Sequence, residues 1–264
     1  MPKSKKLTLI AGIILISLIA LVSWVRRQYV PPIIMYHQVL PHPDPCYRLA
    51  VSVEAFERQM RFLKEHKYNV LPLEALAGLI RQKKRIPARS LAITLDDGYE
   101  DNYLYAFPVL KKYGLSATVF IIVDEVGRPQ NDRLSWEQIK VMQDSGLITF
   151  GSHAFGPEPL VNIKSGEELR RQILGSKKAL EQRLGRRVYA FSYPEGRFNR
   201  NIRQLVIEAG YKMAVATNPG RKFPNDDIFG LKRLRVSYPC NRLLVFWIET
   251  SGFYNFIREN RQKK

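Results

Sequence analysis

The stretch LAITLDDGYEDNY, Leu91 to Tyr103, opens on a short apolar and β-branched run and stops on two aspartates and a glycine. Leu91 to Leu95 has the length and composition of a strand buried on both faces, the kind that belongs to parallel sheets. Two adjacent carboxylates that close such a run are costly to bury unless something pairs with them. Neighbouring side chains of a strand point to opposite faces. Asp96 and Asp97 therefore reach one pocket only if the strand ends there and the chain turns, which Gly98 permits. An Asp-Asp-Gly tripeptide is also an ordinary surface turn, and the rest of the chain has to separate the two readings.

Outward from this stretch, strands and helices alternate. Apolar runs at Ile33–Tyr36, Tyr68–Leu71, Ala117–Val123, Ile148–Ser152, Val188–Ser192, Tyr211–Ala216 and Leu231–Val236 read as strands. Between them, Ser52 can cap a helix that carries Phe56, Met60 and Leu63 on one face. Pro72 suits the first turn of another, through Ile80. Tyr103–Tyr113 reads as a helix that Pro108 must break or kink and Gly114 stops. Ser135 with Gln138, and Ser165 with Glu168, form capping boxes; Asn199 caps a further helix. The alternation implies a mostly parallel sheet with helical crossovers. With 264 residues and no glycine-rich dinucleotide fingerprint, it predicts an α/β fold: a distorted or incomplete (β/α) barrel in a single domain, residues 33–264, preceded by an N-terminal transmembrane helix.

That helix is read from Leu7 to Val25, which carry no charge and lie between Lys3, Lys5 and Lys6 and the pair Arg26-Arg27. About 20 apolar residues span a bilayer, and no small-x-small cleavage site is evident. The expected layout is a cytoplasmic tail at 1–6, an uncleaved anchor at 7–25, a linker at 26–32, and the catalytic domain on the outer side of the cell membrane. The chain has 42 lysines and arginines against 24 acidic residues, a net charge of +18. Such a charge selects an anionic neighbourhood. Export argues against nucleic acid and for anionic envelope polymers. Cys46 and Cys240 could form a disulfide in that compartment, and two separate thiols fit the sequence equally.

In a β/α barrel the chemistry gathers at the C-terminal ends of the strands. Those ends give His37, then Asp96-Asp97, then His153, then Tyr193-Pro194-Glu195-Gly196, then Arg233 or Arg235. Of the four histidines, His42 lies in a proline-rich loop and His66 near a helix end. His37 and His153 fall at strand ends. Either alone could be a buried structural histidine; their coincidence with the carboxylate pair favours a site.

ITLDDGYEDNY, GSHAFGPEPL and FSYPEGRFN, in this order, resemble the three motifs of the polysaccharide deacetylases, the NodB-homology family of carbohydrate esterases. PPIIMYHQVL with the following VSVEAFERQMRFLKEHKYNVLPLEAL resembles the branch that contains the biofilm poly-N-acetylglucosamine deacetylases. The likeness runs from about Pro31 to Pro239. It implies a divalent metal held by one aspartate and two histidines, which polarises an acetamide carbonyl and activates water. Carried onto this sequence, Asp97 and His153 are metal ligands and Asp96 is the general base. His37 is the acid that protonates the amine, since no late Leu-x-His motif follows Cys240. The backbone N–H of Glu195 helps to hold the oxyanion, and Arg233 orients Asp96. Tyr99, Tyr193 and Pro194 are substrate-binding candidates. Phe155 and Phe198 lie beside the same motifs, and all these aromatics are equally compatible with core packing.

One position departs from the family pattern. Four residues after His153 stands Pro157, which cannot coordinate through its side chain; five after stands Glu158. Glu158 could supply the third ligand. Two carboxylates would weaken the Lewis acidity of the ion and shift the preference from Zn toward harder ions such as Mn, Co or Ni. Glu195 also replaces the family's usual tyrosine. The expected activity is removal of acetyl groups from N-acetylglucosamine-type residues of an envelope or matrix polysaccharide. A carbohydrate-binding module without turnover is the alternative, and another amidase or peptidoglycan hydrolase on the same barrel is a weaker third.

Overall fold

The structure is a computed structural model describing residues 3–27, 29–44, 46–128, 132–217, 226–236 and 243–254; of residues 3–9, 11 and 26–27 it describes the backbone alone. Its strands are β1 (Ile33–Tyr36), β2 (Gln38–Leu40), β3 (Ala50–Ser52), β4 (Asn69–Val70), β5 (Ser90–Leu95), β6 (Ala117–Ile121), β7 (Ile148–Ser152), β8 (Ala190–Ser192), β9 (Met213–Ala216), β10 (Leu231–Lys232) and β11 (Leu234–Arg235). The main sheet runs β10-β9-β8-β7-β6-β5-β1-β11, with β4 added beside β5. Every one of its pairings is parallel. β2 and β3 form a small parallel pair of their own, a feature absent from the sequence reading.

The two outer members of this order are consecutive pieces of one segment. Leu231 and Lys232 pair with Val215 and Ala216 of β9. Leu234 and Arg235 pair with Ile34 and Met35 of β1. The segment thus changes partner at Arg233 and closes the sheet into a near-barrel. The sequence reads as one strand from Leu231 to Val236 because apolar alternation does not break there; only the pairing does.

Side-chain alternation separates two apolar layers. Leu91, Ile93 and Leu95 of β5 pack outward, in the same cluster as Val119, Ile121, Phe150 and the helical Phe56, Met60 and Leu110. Ile33, Ala92, Phe120, Ala190, Met213, Val215 and Leu231 point into the barrel, where Leu73, Leu76 and Ala77 join them. The helix Leu73–Arg81 therefore plugs the N-terminal mouth. Gly151 makes this interior possible: a Cβ there would lie 2.5 Å from the Phe120 ring. Above the apolar layer the inward positions turn polar, and they lead up to the strand ends.

Capping follows the sequence where it is local. Ser52 and Asn199 cap their helices, and Ser135 with Gln138 makes a complete capping box. Ser165 accepts from the Glu168 N–H. Two helices contain π-turns, Asn102–Ala106 and Arg171–Gly175. The first resolves the Pro108 problem: a wider turn precedes the proline, which then sits in the first turn of the helix Phe107–Tyr113.

The N-terminal expectation is corrected. A helix does run from Lys3 to Arg27, but among the described residues no helix is long and apolar enough to cross a membrane. The transmembrane anchor and the single-pass location are therefore not carried forward. Cys46 is exposed, and Cys240 lies outside the described residues.

Candidate active site

Asp96 and Asp97 reach one cleft because the backbone turns at Asp97 itself. Asp97 has φ +70° and Gly98 φ +64°, so the left-handed region begins one residue before the glycine. Aspartate tolerates this conformation better than most residues. Gly98 is doubly required, since a Cβ there would stand 2.8 Å from Ile121 Cδ1. The same device recurs after β7 and β8, where Ala154 (φ +69°) and Glu195 (φ +55°) are also left-handed. Non-glycine residues in this region concentrate at functional sites. Here three of them each follow a strand end or its histidine.

The cleft they build has a volume of about 400 Å³, and His37, Asp96, Asp97, His153, Glu195 and Arg133 are among its walls. A cavity of about 280 Å³ lined by Glu74, Arg81, Tyr189 and Lys212 contains none of the motif residues.

Asp96 continues the inward series of Ala92 and Thr94, and it is 2% exposed. Arg233 meets it with both ends of its fork: Nη1 donates to Oδ1 at 2.6 Å and Nη2 to Oδ2 at 2.6 Å. The guanidinium also donates to Ser192 Oγ at 2.9 Å and Thr94 Oγ1 at 3.2 Å. Burial opposes the charge on Asp96, but Arg233, with His153 and His37, outweighs it and holds the carboxyl below its ordinary value. Arg235, the other candidate, is exposed.

His153 is buried, with Nδ1 2.8 Å from the Ser192 carbonyl. A carbonyl only accepts, so Nδ1 carries the proton. Nε2 then faces Asp97 Oδ1 at 3.3 Å and Asp96 Oδ2 at 3.9 Å. Burial disfavours the imidazolium, and the two carboxylates overcome it and raise the His153 value. Asp97 is likewise buried against its charge, yet its contact with His153 brings it down to about 2. A nitrogen lone pair and a carboxylate oxygen aimed at each other in a buried cleft need positive charge between them. A proton or a metal cation satisfies this, so the pair fits two donors of the family's divalent ion.

Among the described residues no third donor joins them. Among the described residues no group of three His, Cys, Asp or Glu side chains could hold a metal. Glu158 is exposed, and the cleft wall at this turn is Pro157. The structure thus does not bring Glu158 to the wall beside Asp97 and His153.

His37 follows β1 and enters the cleft from the other side. Its Nδ1 is buried without a hydrogen-bond partner among the described residues. Burial lowers its pKa, and the charges of Asp96 and Asp97 recover only part of this. Its backbone is clamped by the first π-turn: Asn102 Nδ2 donates to the His37 carbonyl at 2.9 Å, and the Val39 N–H donates to Asp101 Oδ1 at 3.0 Å. The second π-turn does the same for the loop after His153. Gln172 Oε1 accepts from the N–H groups of Phe155 (3.1 Å) and Gly156 (2.8 Å). Neither Asp101, Asn102 nor Gln172 was singled out by the sequence, although the first two lie inside the quoted motif.

The remaining sequence candidates divide. Pro194 and Glu195 line the cleft. The Glu195 carboxylate is 58% exposed and pairs with Arg197. The turn closes through Gly196 N–H to the Tyr193 carbonyl (2.7 Å) and Arg197 N–H to the Pro194 carbonyl (3.1 Å), and neither bond uses the Glu195 N–H. Tyr193 reaches the cleft wall but is 0% exposed. Its ring stacks on Phe198 at 4.1 Å and its hydroxyl donates to the Phe229 carbonyl. It is therefore packing, not a sugar platform. The Arg133 guanidinium lies 3.9 Å above the centroid of the Tyr99 ring, and Tyr99 is not among the walls of the cleft. Arg133 takes its place in the wall.

The sequence profile of polysaccharide deacetylases matches residues 83–214, which excludes both His37 and Arg233. YxkH of Bacillus subtilis strain 168, assigned by its name to polysaccharide deacetylases, is 34% identical over 217 residues, covering 81% of this chain and 75% of its own. The poly-β-1,6-N-acetyl-D-glucosamine N-deacetylase of Staphylococcus aureus strain MRSA252 is 28% identical over 198 residues, 71% of this chain and 68% of its own. The Streptococcus pyogenes deacetylase PplD, solved in complex with acetate, superposes with a TM-score of 0.73 at 26% identity, covering 87% of this chain and 97% of its own. The barrel, the ordered motifs and these relatives agree, and the chain belongs to the polysaccharide deacetylase family.

Proposed function

We propose that this chain is a metal-assisted N-deacetylase of N-acetylglucosamine-type residues in a polysaccharide. One observation carries the reading: His37, Asp96, Asp97 and His153, from three separate strand ends, share one cleft. The substrate class is supported by the name of the Staphylococcus aureus relative. Asp97 and His153 would hold the ion, which supplies Lewis acidity at the acetamide carbonyl.

The chain's own groups divide the rest. Asp96 takes one proton from the attacking water; Arg233 fixes its plane and keeps it ionised. The Glu195 N–H donates to the oxyanion that forms as the carbonyl carbon becomes tetrahedral. As the C–N bond breaks, His37 in its imidazolium form gives a proton to the departing nitrogen, and the acetic acid that separates loses the remaining water proton to solvent, leaving acetate and a free amine. Exchange with solvent removes the proton from Asp96 and restores the one on His37.

The missing third donor favours a second reading, a carbohydrate-binding protein that lacks turnover. Incubation of the full chain with β-1,6-linked N-acetylglucosamine oligomers and a divalent metal separates the two. Release of acetate with matching free amine is expected. Binding without release, under every metal tried, would establish the second reading instead.

A further inference from the structure

The cavity of about 280 Å³ beside Glu74 lies at the opposite end of the barrel from the catalytic cleft. It opens where the helix Leu73–Arg81 plugs the N-terminal mouth, and Arg81, Lys212 and Tyr189 are in its wall. A second cavity of about 170 Å³ adjoins it through Glu74 and Tyr189 and adds Arg186 and Arg187. The Lys212 N–H donates to the Tyr189 carbonyl at 2.8 Å, which ties the connections on either side together. The two cavities form one groove whose described walls carry four cations and a single carboxylate.

The chain around this groove is positive throughout. The connection 81–89, RQKKRIPAR, leads into β5; 185–189, GRRVY, leads into β8; 210–212, GYK, leads into β9. None of them contains an acidic residue, whereas Asp96, Asp97 and Glu195 line the cleft at the other end. Arg81, Arg186 and Lys212 are exposed, and their side chains make no hydrogen bond or ion pair among the described residues. Arg187 has only Glu181, at 3.7 Å. Cations gathered without counterions repel one another and attract a partner of opposite sign.

We infer that this groove is a second binding site, which holds a linear polymer carrying phosphate diesters. Three of the four lining cations are arginines, whose planar fork pairs with a phosphate through two hydrogen bonds. Two small adjoining cavities suit successive units of a flexible chain. The aromatic side chains of the groove, Tyr189 and Phe150, are half-buried and buried, so nucleic-acid bases find no open platform to stack on. No exposed large apolar residue belongs to the three connections, so this face has nothing to insert into a lipid surface. The site goes beyond the deacetylase reading and does not depend on it. It gives the net charge of +18 a place on the molecule, and it leaves the cleft at the opposite mouth open while the polymer is held.

The test uses the full chain and a poly(glycerol phosphate) oligomer, with affinity measured by calorimetry over a series of salt concentrations. Wild type should bind, and the logarithm of its affinity should fall linearly with the logarithm of the salt concentration. Arg81→Gln with Lys212→Gln should weaken binding about tenfold and make the slope shallower by about 1.4, at about 0.7 for each lost contact. Glu74→Gln removes the one repelling carboxylate and should tighten binding about threefold. Lys164→Gln with Lys178→Gln changes two exposed cations that belong to neither cavity and should leave affinity within about twofold of wild type. Absence of binding by wild type at low salt would overturn the inference, as would equal losses in the two double variants or no gain in Glu74→Gln. Single-stranded DNA or anionic lipid vesicles that bind wild type more tightly than the phosphate polymer would also overturn it and assign the groove to another partner. Binding alone is read, so failure of the deacetylase reading would not alter the outcome.

Discussion

Replacing Arg233 with methionine isolates the interaction on which both barrel closure and the buried Asp96 carboxylate depend. Arg233 is 0% exposed, makes two 2.6 Å bonds to Asp96, and stands between the strand pieces that pair with β9 and β1. Methionine fills much of the volume but leaves Asp96 buried without its partner. Breaking a buried pair from one side costs about 3–5 kcal/mol, a large fraction of the stability of an ordinary domain. The cost depends on pH, and its sign follows from Asp96. In the wild type its folded value lies below the unfolded one. Its contribution is therefore present above the unfolded value, about 3.9, and is lost as pH falls through the folded value. In the variant burial is opposed only by His153 and His37, so the value rises and the charge becomes a penalty at neutral pH. Urea unfolding at pH 7.5 should show a loss of about 3–5 kcal/mol, narrowing by roughly 1–2 kcal/mol near pH 4. Asp96→Asn with Arg233→Met should be less destabilised than the single change. A loss under about 1 kcal/mol, or one equal at both pH values, would refute the reasoning.

Two further changes probe the surroundings. Asp101 is buried and its carboxyl is raised to about 6, chiefly by burial. Its ionisation thus opposes folding, with a cost complete above pH 6, absent below about pH 4, and worth roughly 3 kcal/mol. Asp101→Asn keeps an oxygen for the Val39 N–H, so it should gain about 1–3 kcal/mol at pH 7.5 and nothing at pH 4; urea unfolding that shows it weaker at both values refutes this. Pro157→His places a third donor beside Asp97 and His153, and calorimetric titration with zinc should show affinity about tenfold or more above wild type. Unchanged affinity would mean that position 157 does not face the ion.

Much of this site could be read before any coordinates because its chemistry sits where chain direction changes. Apolar runs that stop on Asp96, His37 or His153 announce strand ends, and parallel strands bring their C-terminal ends to one side. What stayed hidden depends on pairing and backbone angle. The switch of partner at Arg233 leaves the hydrophobic pattern intact. Pro157, not Glu158, lines the cleft, and residue spacing cannot encode that choice. Arg133 is placed by a two-bond antiparallel contact with Gly98–Glu100 that no local pattern announces. The π-turns carrying Asn102 and Gln172 look like ordinary helix in sequence. Tyr99 and Tyr193 show that an aromatic beside a motif packs against its own fold as readily as it could against a sugar.

The central claim is that Asp96 serves as the base within the shared cleft. Its most direct test is Asp96→Asn, in which acetate release from an N-acetylglucosamine oligomer is followed alongside binding of the same oligomer. The substitution should lower turnover by about 10²–10⁴-fold, the usual worth of a positioned base, with affinity retained. Turnover at the wild-type rate in the Asp96→Asn protein would contradict the account.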